Sequence, residues 1–175
     1  MTGVQTCALP ISIISRYVRA PGLLSQSVFL IQKEVAERIT ASPGGREYGY
    51  FSVECQLFAE PKYLFTVPPG AFRPPPKVDS AAIRLTPRSG LAVEEPEPFL
   101  AFVSACFRQK RKTLRNNLSG RYPGALLDAR LEMSRRAEQL SMPEFVALYR
   151  SLGAAEKGDL SLPPGRGSED GRGSE

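Results

Sequence analysis

Residues 67–85 read VPPGAFRPPPKVDSAAIRL, and the reading of this stretch decides the rest. The run Tyr63-Leu64-Phe65-Thr66-Val67 leading into it and Ala81-Ala82-Ile83-Arg84-Leu85 at its end are rich in β-formers, so two strands flank a proline-rich link. Six of the thirteen residues from Pro68 to Ser80 are proline or glycine, so the backbone is pre-ordered and presents Phe72 on a stiff loop. A rigid aromatic beside Arg73 and Lys77 is what a site needs if it stacks an unpaired base while cations hold the adjoining phosphates. On composition alone the same residues also describe a structural turn with Phe72 in the core.

Upstream, Val28-Phe29-Leu30-Ile31 is a compact apolar run, read as a buried strand, and it feeds a helix in which Val35, Ala36 and Ile39 recur at helical spacing. Ser42-Pro43-Gly44-Gly45 ends that helix with turn chemistry. Between Tyr48 and Glu60 two periods compete: Phe51, Val53, Cys55 and Leu57 alternate like a strand, while Phe51, Cys55 and Phe58 suit a helix face. Downstream, Glu94 to Pro98 is an acidic connector, and Phe99, Phe102, Val103, Cys106 and Phe107 then fall at i, i+3, i+4, i+7 and i+8, an amphipathic helix. A short helix is predicted over 113–118. Ser141-x-x-Glu144 is a capping box that opens a last helix carrying Phe145, Leu148, Tyr149 and Leu152, with Gly153 as its stop.

Strand-helix alternation followed by helices alone predicts an α/β fold, with the end of an α/β domain over residues 13–92 and a small all-α domain over 93–153. Residues 1–12, MTGVQTCALPIS, show neither period, resemble translated sequencing-adapter read-through and are read as a non-native leader. Residues 154–175, dominated by Gly, Pro, Ser and charges, are read as a disordered tail.

The chain has no histidine, which excludes imidazole general acid/base catalysis, Ser-His-Asp and Cys-His nucleophile systems and imidazole metal sites. Cys7, Cys55 and Cys106 are odd in number and unpaired by spacing, so neither a disulfide framework nor a zinc site is expected and the default compartment is the cytoplasm. No apolar run approaches the ~20 residues that span a bilayer, so no membrane partner is expected.

The net charge of +5 is unevenly placed. Residues 101–121 hold Arg108, Lys110, Arg111, Lys112, Arg115 and Arg121 with no carboxylate among them. Within 108–118 five cations and three amides (Gln109, Asn116, Asn117) crowd together, a composition that neutralises phosphates and adds hydrogen bonds to backbone or base edges. A basic helix face balanced by the acidic connector is the alternative. Neither Gly44-Gly45 nor Gly165-Arg166-Gly167 has the strand-to-helix context of a phosphate loop.

These stretches resemble one family. Phe72 to Ser80 is similar to F-x-P-x-P-x-V-x-S, the late motif of the rRNA adenine N6-dimethyltransferases, with an additional proline in its variable positions. VFLIQKEVAERI with PGGREYG after it resembles the strand-helix that precedes this motif, and FRQKRKTLRNNL resembles the helical-domain signature. The likeness covers roughly residues 24–152 and is greatest to the bacterial 16S enzymes of the kasugamycin-resistance type.

The resemblance implies the C-terminal part of a Rossmann-like methyltransferase sheet followed by a small all-α domain, S-adenosyl-L-methionine as cofactor, and 16S rRNA or the immature small ribosomal subunit as partner. It implies that Phe72 stacks the target adenine. Arg73, Lys77, Arg108, Lys110, Arg111, Lys112 and Arg115 would contact rRNA phosphates, and Asn116 and Asn117 would add polar contacts or cap the short helix. In the family the cofactor loop, the acidic ribose ligand and the catalytic Asn-Leu-Pro-Tyr motif precede the segment matching Val28. The expectation is therefore a fragment without the cofactor site, inactive alone. Leu9-Pro10 echoes that motif, but Ala8 and Ile11 replace its asparagine and aromatic. Gln32, Lys33 and Glu34 stand at a strand end, where α/β sheets place their sites, and helix capping explains them as well. The rival readings are a 23S rRNA adenine N6-methyltransferase and a non-catalytic RNA-binding or ribosome-assembly module.

Overall fold

A computed structural model describes residues 14–16, 19 and 25–158. Strand β1 (Ser27–Gln32) runs directly into helix α1 (Lys33–Thr40), and α2 (Tyr50–Phe58) runs directly into β2 (Ala59–Val67). A single turn at Pro69–Ala71 interrupts the loop before β3 (Ser80–Pro87). Helices α3 (Pro96–Cys106), α4 (Leu114–Leu118), α5 (Gly124–Asp128) and α6 (Met142–Gly158) follow, with short 3-10 turns at Leu131–Ser134 and Ala137–Gln139.

The strands form one sheet in the order β1-β3-β2, antiparallel at both joints. The parallel strands that a Rossmann-like sheet also contains do not occur among the described residues. Side chains alternate across a strand, so Ala81, Ile83 and Leu85 of the central β3 point to one face and are fully buried there. Helices α1 and α2 lie on that face and supply Val35, Ala36, Ile39, Val53, Cys55 and Leu57.

On the opposite face Leu30, Ala82 and Phe65 lie in one cross-strand row. Leu30 is 54% exposed, Phe65 59% and Val28 61%. The apolar run 28–31 is therefore not a buried strand as its composition predicts. Among the described residues it stands at the edge of the sheet with one covered face, because Phe29 and Ile31 pack on the core while nothing described covers Val28 and Leu30.

The ambiguous stretch after Tyr48 folds as a helix, and its polar side chains explain why. Ser52 Oγ donates to the Arg38 carbonyl at 2.5 Å, and Gln56 Nε2 donates to the carbonyls of Ile39 (3.2 Å) and Ala41 (2.8 Å). These are the carbonyls left without intrahelical partners where α1 ends. In α2 the strand-like alternation is a by-product of burial on most sides: Ser52, Val53, Glu54, Cys55, Leu57 and Phe58 are all buried. The buried carboxylate of Glu54 is matched by Arg19 (2.5 Å) and Ser15 (2.7 Å), and Arg19 reaches on to Glu97 at 2.7 Å.

The core is continuous from the sheet to the last helix. Phe99 and Phe102 of α3 each pack on Tyr149 of α6 with ring centroids 5.5 Å apart, and Phe107 meets Phe145 at 5.8 Å and Tyr48 at 6.3 Å. Helix α6 does not stop at Gly153 but continues to Gly158. A glycine ends a helix when it takes a left-handed conformation, and the one positive-φ glycine among the described residues is Gly44.

The Glu144 half of the predicted capping box is present. Glu144 accepts from the Ser141 backbone N–H and from its hydroxyl, both at 2.7 Å, and pairs with Arg135 at 2.6 Å. The Arg135 hydrogen bond, followed by those from Ser141, holds the Glu144 carboxyl down to about 2. A carboxyl depressed in the folded state stabilises above its unfolded value of about 4.5 and loses that contribution as pH falls toward 2. After discounting for solvent screening of this half-exposed pair, Glu144→Gln is expected to cost about 1 kcal/mol at pH 7. In denaturant titrations the gap from the parent should close between pH ~4.5 and ~2.

Candidate nucleic-acid interface

Three chain segments meet at one end of the sheet. Ser80, the first residue of β3, is in register with both Gln32, the last of β1, and Val67, the last of β2. The loop 68–79 is thus rooted at both ends beside the β1–α1 junction. A second joint fixes it: Lys33 N–H donates to the Asp79 carbonyl at 3.0 Å, and Lys33 Nζ lies 3.8 Å from the Asp79 carboxylate. Within the loop Ala71 and Phe72 N–H groups donate to Pro68 and Pro69 at 3.1 Å each, and the Arg73–Pro74 bond is cis.

Phe72 is half-buried and stands outside the core cluster, so the structural-turn alternative that puts it in the core does not hold. Arg73 and Lys77 are exposed and have no ion pair among the described residues. An open hollow of about 400 Å³ lies alongside, lined by Gln32, Lys33, Glu34, Glu37, Val78 and Asp79. Sequence reasoning missed Glu37, Val78 and Asp79. Asp79 occupies a variable position of the late motif, and only its pairing with Lys33 gives it a role.

The first part of the basic stretch, 108–112, is a turn between α3 and α4 rather than a helix face, and Arg115, Asn116 and Asn117 lie on α4. Arg108, Arg111 and Lys112 are exposed and have no ion pair among the described residues. Lys110 Nζ donates to the Arg46 carbonyl at 2.7 Å. Arg115 forms a two-pronged pair with the carboxylate of Asp128, so its cation is already matched. Asn116 is exposed, and its N–H meets the capping hydroxyl of Thr113 at 3.5 Å.

Asn117 corrects the sequence expectation. It is 4% exposed, its Nδ2 donates to the carbonyls of Cys106 (2.7 Å) and Gln109 (3.2 Å), and its Oδ1 accepts from the Gln109 N–H at 3.1 Å. Its amide shapes the turn from inside and has nothing left for RNA. Adjacent asparagines on a helix point in directions about 100° apart, and the sequence does not say which one faces inward.

Strand β1 passes into α1 at Gln32-Lys33 with no glycine turn between them, and the Gly44-Gly45 turn follows a helix. Four of the six side chains lining the hollow beside the loop are charged, and none is aromatic. The two thiols among the described residues are not reactive ones: Cys55 and Cys106 are buried, and desolvation raises both, Cys106 to about 12. No group of three or more His, Cys, Asp or Glu that could hold a metal occurs among the described residues. None of their helices is long and apolar enough to cross a membrane.

The family model for ribosomal RNA adenine dimethylases matches residues 8–153. The chain belongs to this family. The match takes in Ala8-Leu9-Pro10-Ile11-Ser12, the part of the expected foreign leader that echoes the family's catalytic motif, and these lie outside the described residues. The ribosomal RNA small subunit methyltransferase A of Acidobacterium capsulatum is 42% identical over 149 residues, which are 80% of this chain and 52% of that protein. This dimethylase-family chain spans about half the length of the curated relatives it matches. A dimethyladenosine transferase from Plasmodium falciparum superposes with a TM-score of 0.69 at 23% identity, covering 86% of this chain and 64% of that one. The 23S rRNA methyltransferase ErmE gives 0.59 at 22% identity, covering 83% and 62%. Both likenesses show that the chain shares an α/β fold with those structures.

Removing one partner of a buried hydrogen-bonded amide leaves the others unsatisfied at about 1–3 kcal/mol each. Asn117→Ala is therefore expected to lower the thermal midpoint by several degrees in circular dichroism, whereas Asn116→Ala should leave it within a degree or two.

Proposed function

We propose that this chain is the base-stacking and RNA-gripping part of an S-adenosylmethionine-dependent rRNA adenine N6-dimethyltransferase. It serves small-subunit ribosome biogenesis in the cytoplasm, and the adenines modified are two adjacent ones near the 3′ end of 16S rRNA. The observation that carries this reading is the loop 68–79, stiff by composition and anchored by Lys33–Asp79, which holds Phe72 half-buried on the same loop as the exposed cations Arg73 and Lys77. An unpaired adenine stacked on Phe72 has its phosphates within the reach of side chains on the same loop. Arg108, Arg111 and Lys112 supply a second, sequence-independent grip on the RNA backbone. The small-subunit names of the matched relatives favour 16S over 23S rRNA as substrate.

What the described residues contribute to such a reaction is positioning. S-adenosylmethionine supplies the methyl group when bound to the whole enzyme. The loop supplies a fixed aromatic plane for the extruded base, and the basic turn keeps the RNA on the surface while the base is out of its stack. The fragment alone is expected to bind without methylating.

The test is affinity for a hairpin from the small-subunit rRNA 3′ end across a salt series. Log Kd should rise steeply with log salt for the parent, and Arg108→Ala/Arg111→Ala/Lys112→Ala should reduce that slope by about 2–3. A folded chain with no salt-dependent binding would overturn the reading.

A further inference from the structure

The turn between α1 and α2 is neutral by composition, yet it lies against the basic turn. Lys110 Nζ donates to the Arg46 carbonyl at 2.7 Å, joining positions 64 residues apart in the chain. A carbonyl acceptor leaves the ammonium its full charge and two of its three N–H donors. Lys110 is thus at once a cation and a tether.

The turn it holds is itself rigid. Gly44 takes φ +82°, a left-handed conformation that side chains disfavour, and so delivers its N–H to the Glu138 carbonyl at 2.7 Å. Gly45 and Tyr48 N–H groups close the turn on Ser42 (3.0 Å) and Gly45 (3.1 Å). Tyr48 then packs edge-on against Phe107, the residue before the basic turn.

Arg46 projects from this support with its side chain 92% exposed. The neighbouring carboxylate, Glu47, stands 3.9 Å from Arg46 and 3.8 Å from Arg38, so it is shared and loosely held. Arg46 is thus a largely exposed, loosely paired cation on a fixed turn that Lys110 joins to the basic turn. Its ordered surroundings lower the entropy lost on gripping a polyanion.

We propose that Arg46 is an RNA-backbone contact and that, with Lys110, Arg108, Arg111 and Lys112, it forms one cationic surface spanning both the sheet-side helices and the C-terminal helices. This rests on the reading of the basic turn as an RNA grip and adds a contact from a segment outside it. Lys110 is the positioning residue that ties the two segments together.

The experiment uses the full chain and the same rRNA 3′-end hairpin in a salt series. Arg46→Ala should lower the slope of log Kd against log salt by about 1, and Arg46→Lys should restore it. Arg46→Glu should weaken binding about tenfold or more at low salt. Lys62→Glu, an equal charge reversal on exposed β2, should weaken it no more than about threefold. Circular dichroism midpoints within a degree or two of the parent would show that each variant folds. If Arg46→Ala keeps the parent slope and Arg46→Glu matches Lys62→Glu while the basic-turn triple variant still flattens the slope, this inference is overturned and the RNA-grip reading stands. If the triple variant also leaves the slope unchanged, both fall.

Discussion

The site depends on the position of β3. As the central strand it must satisfy two neighbours at once, and its first residue, Ser80, is therefore locked to the last residues of both β1 and β2. That register brings the 68–79 loop beside the β1–α1 junction, where Lys33 fastens it through Asp79. A slip of one residue would send Ala81, Ile83 and Leu85 to the uncovered face and Ala82 and Arg84 to the core. Burial of three side chains thus fixes where an aromatic half-exposed on a loop ends up.

The same economy appears in the basic turn. Its shape is set by neutral groups: the Asn117 amide holding the Cys106 and Gln109 backbone, and Thr113 at the start of α4. Arg108, Arg111 and Lys112 are not needed to hold it, so they remain exposed and unmatched among the described residues. Cations whose carboxylate partners are supplied internally, such as Arg19 and Arg115, serve the fold instead. The two kinds cannot be told apart by counting charges.

What was legible in the sequence was local. The proline-rich link and its flanking strands, the Phe99–Phe107 stripe and the Ser141–Glu144 box each announce themselves within about ten residues, and each appears in the structure. What was not legible depended on partners far along the chain. Val28 and Leu30 read as buried because composition does not say which face is covered, and Gly153 read as a stop because propensity does not see helical continuation. Helix α5 was not anticipated at all: Pro123 at its start offers no side-chain cap of the kind Thr113 gives the equally short α4. Of the candidate contacts, Asn117 turned inward, Arg115 found Asp128, and Asp79 and Arg46 became visible only as partners of lysines.

The central claim is that Phe72 offers a stacking plane to an unpaired base. The most direct test places 2-aminopurine at one of the two adjacent loop adenines of the hairpin and follows its fluorescence as the chain is added to saturation. The account predicts quenching by the parent chain that Phe72→Leu abolishes while salt-dependent affinity is largely kept. Equal quenching by both proteins, or none by the parent at saturation, would contradict it.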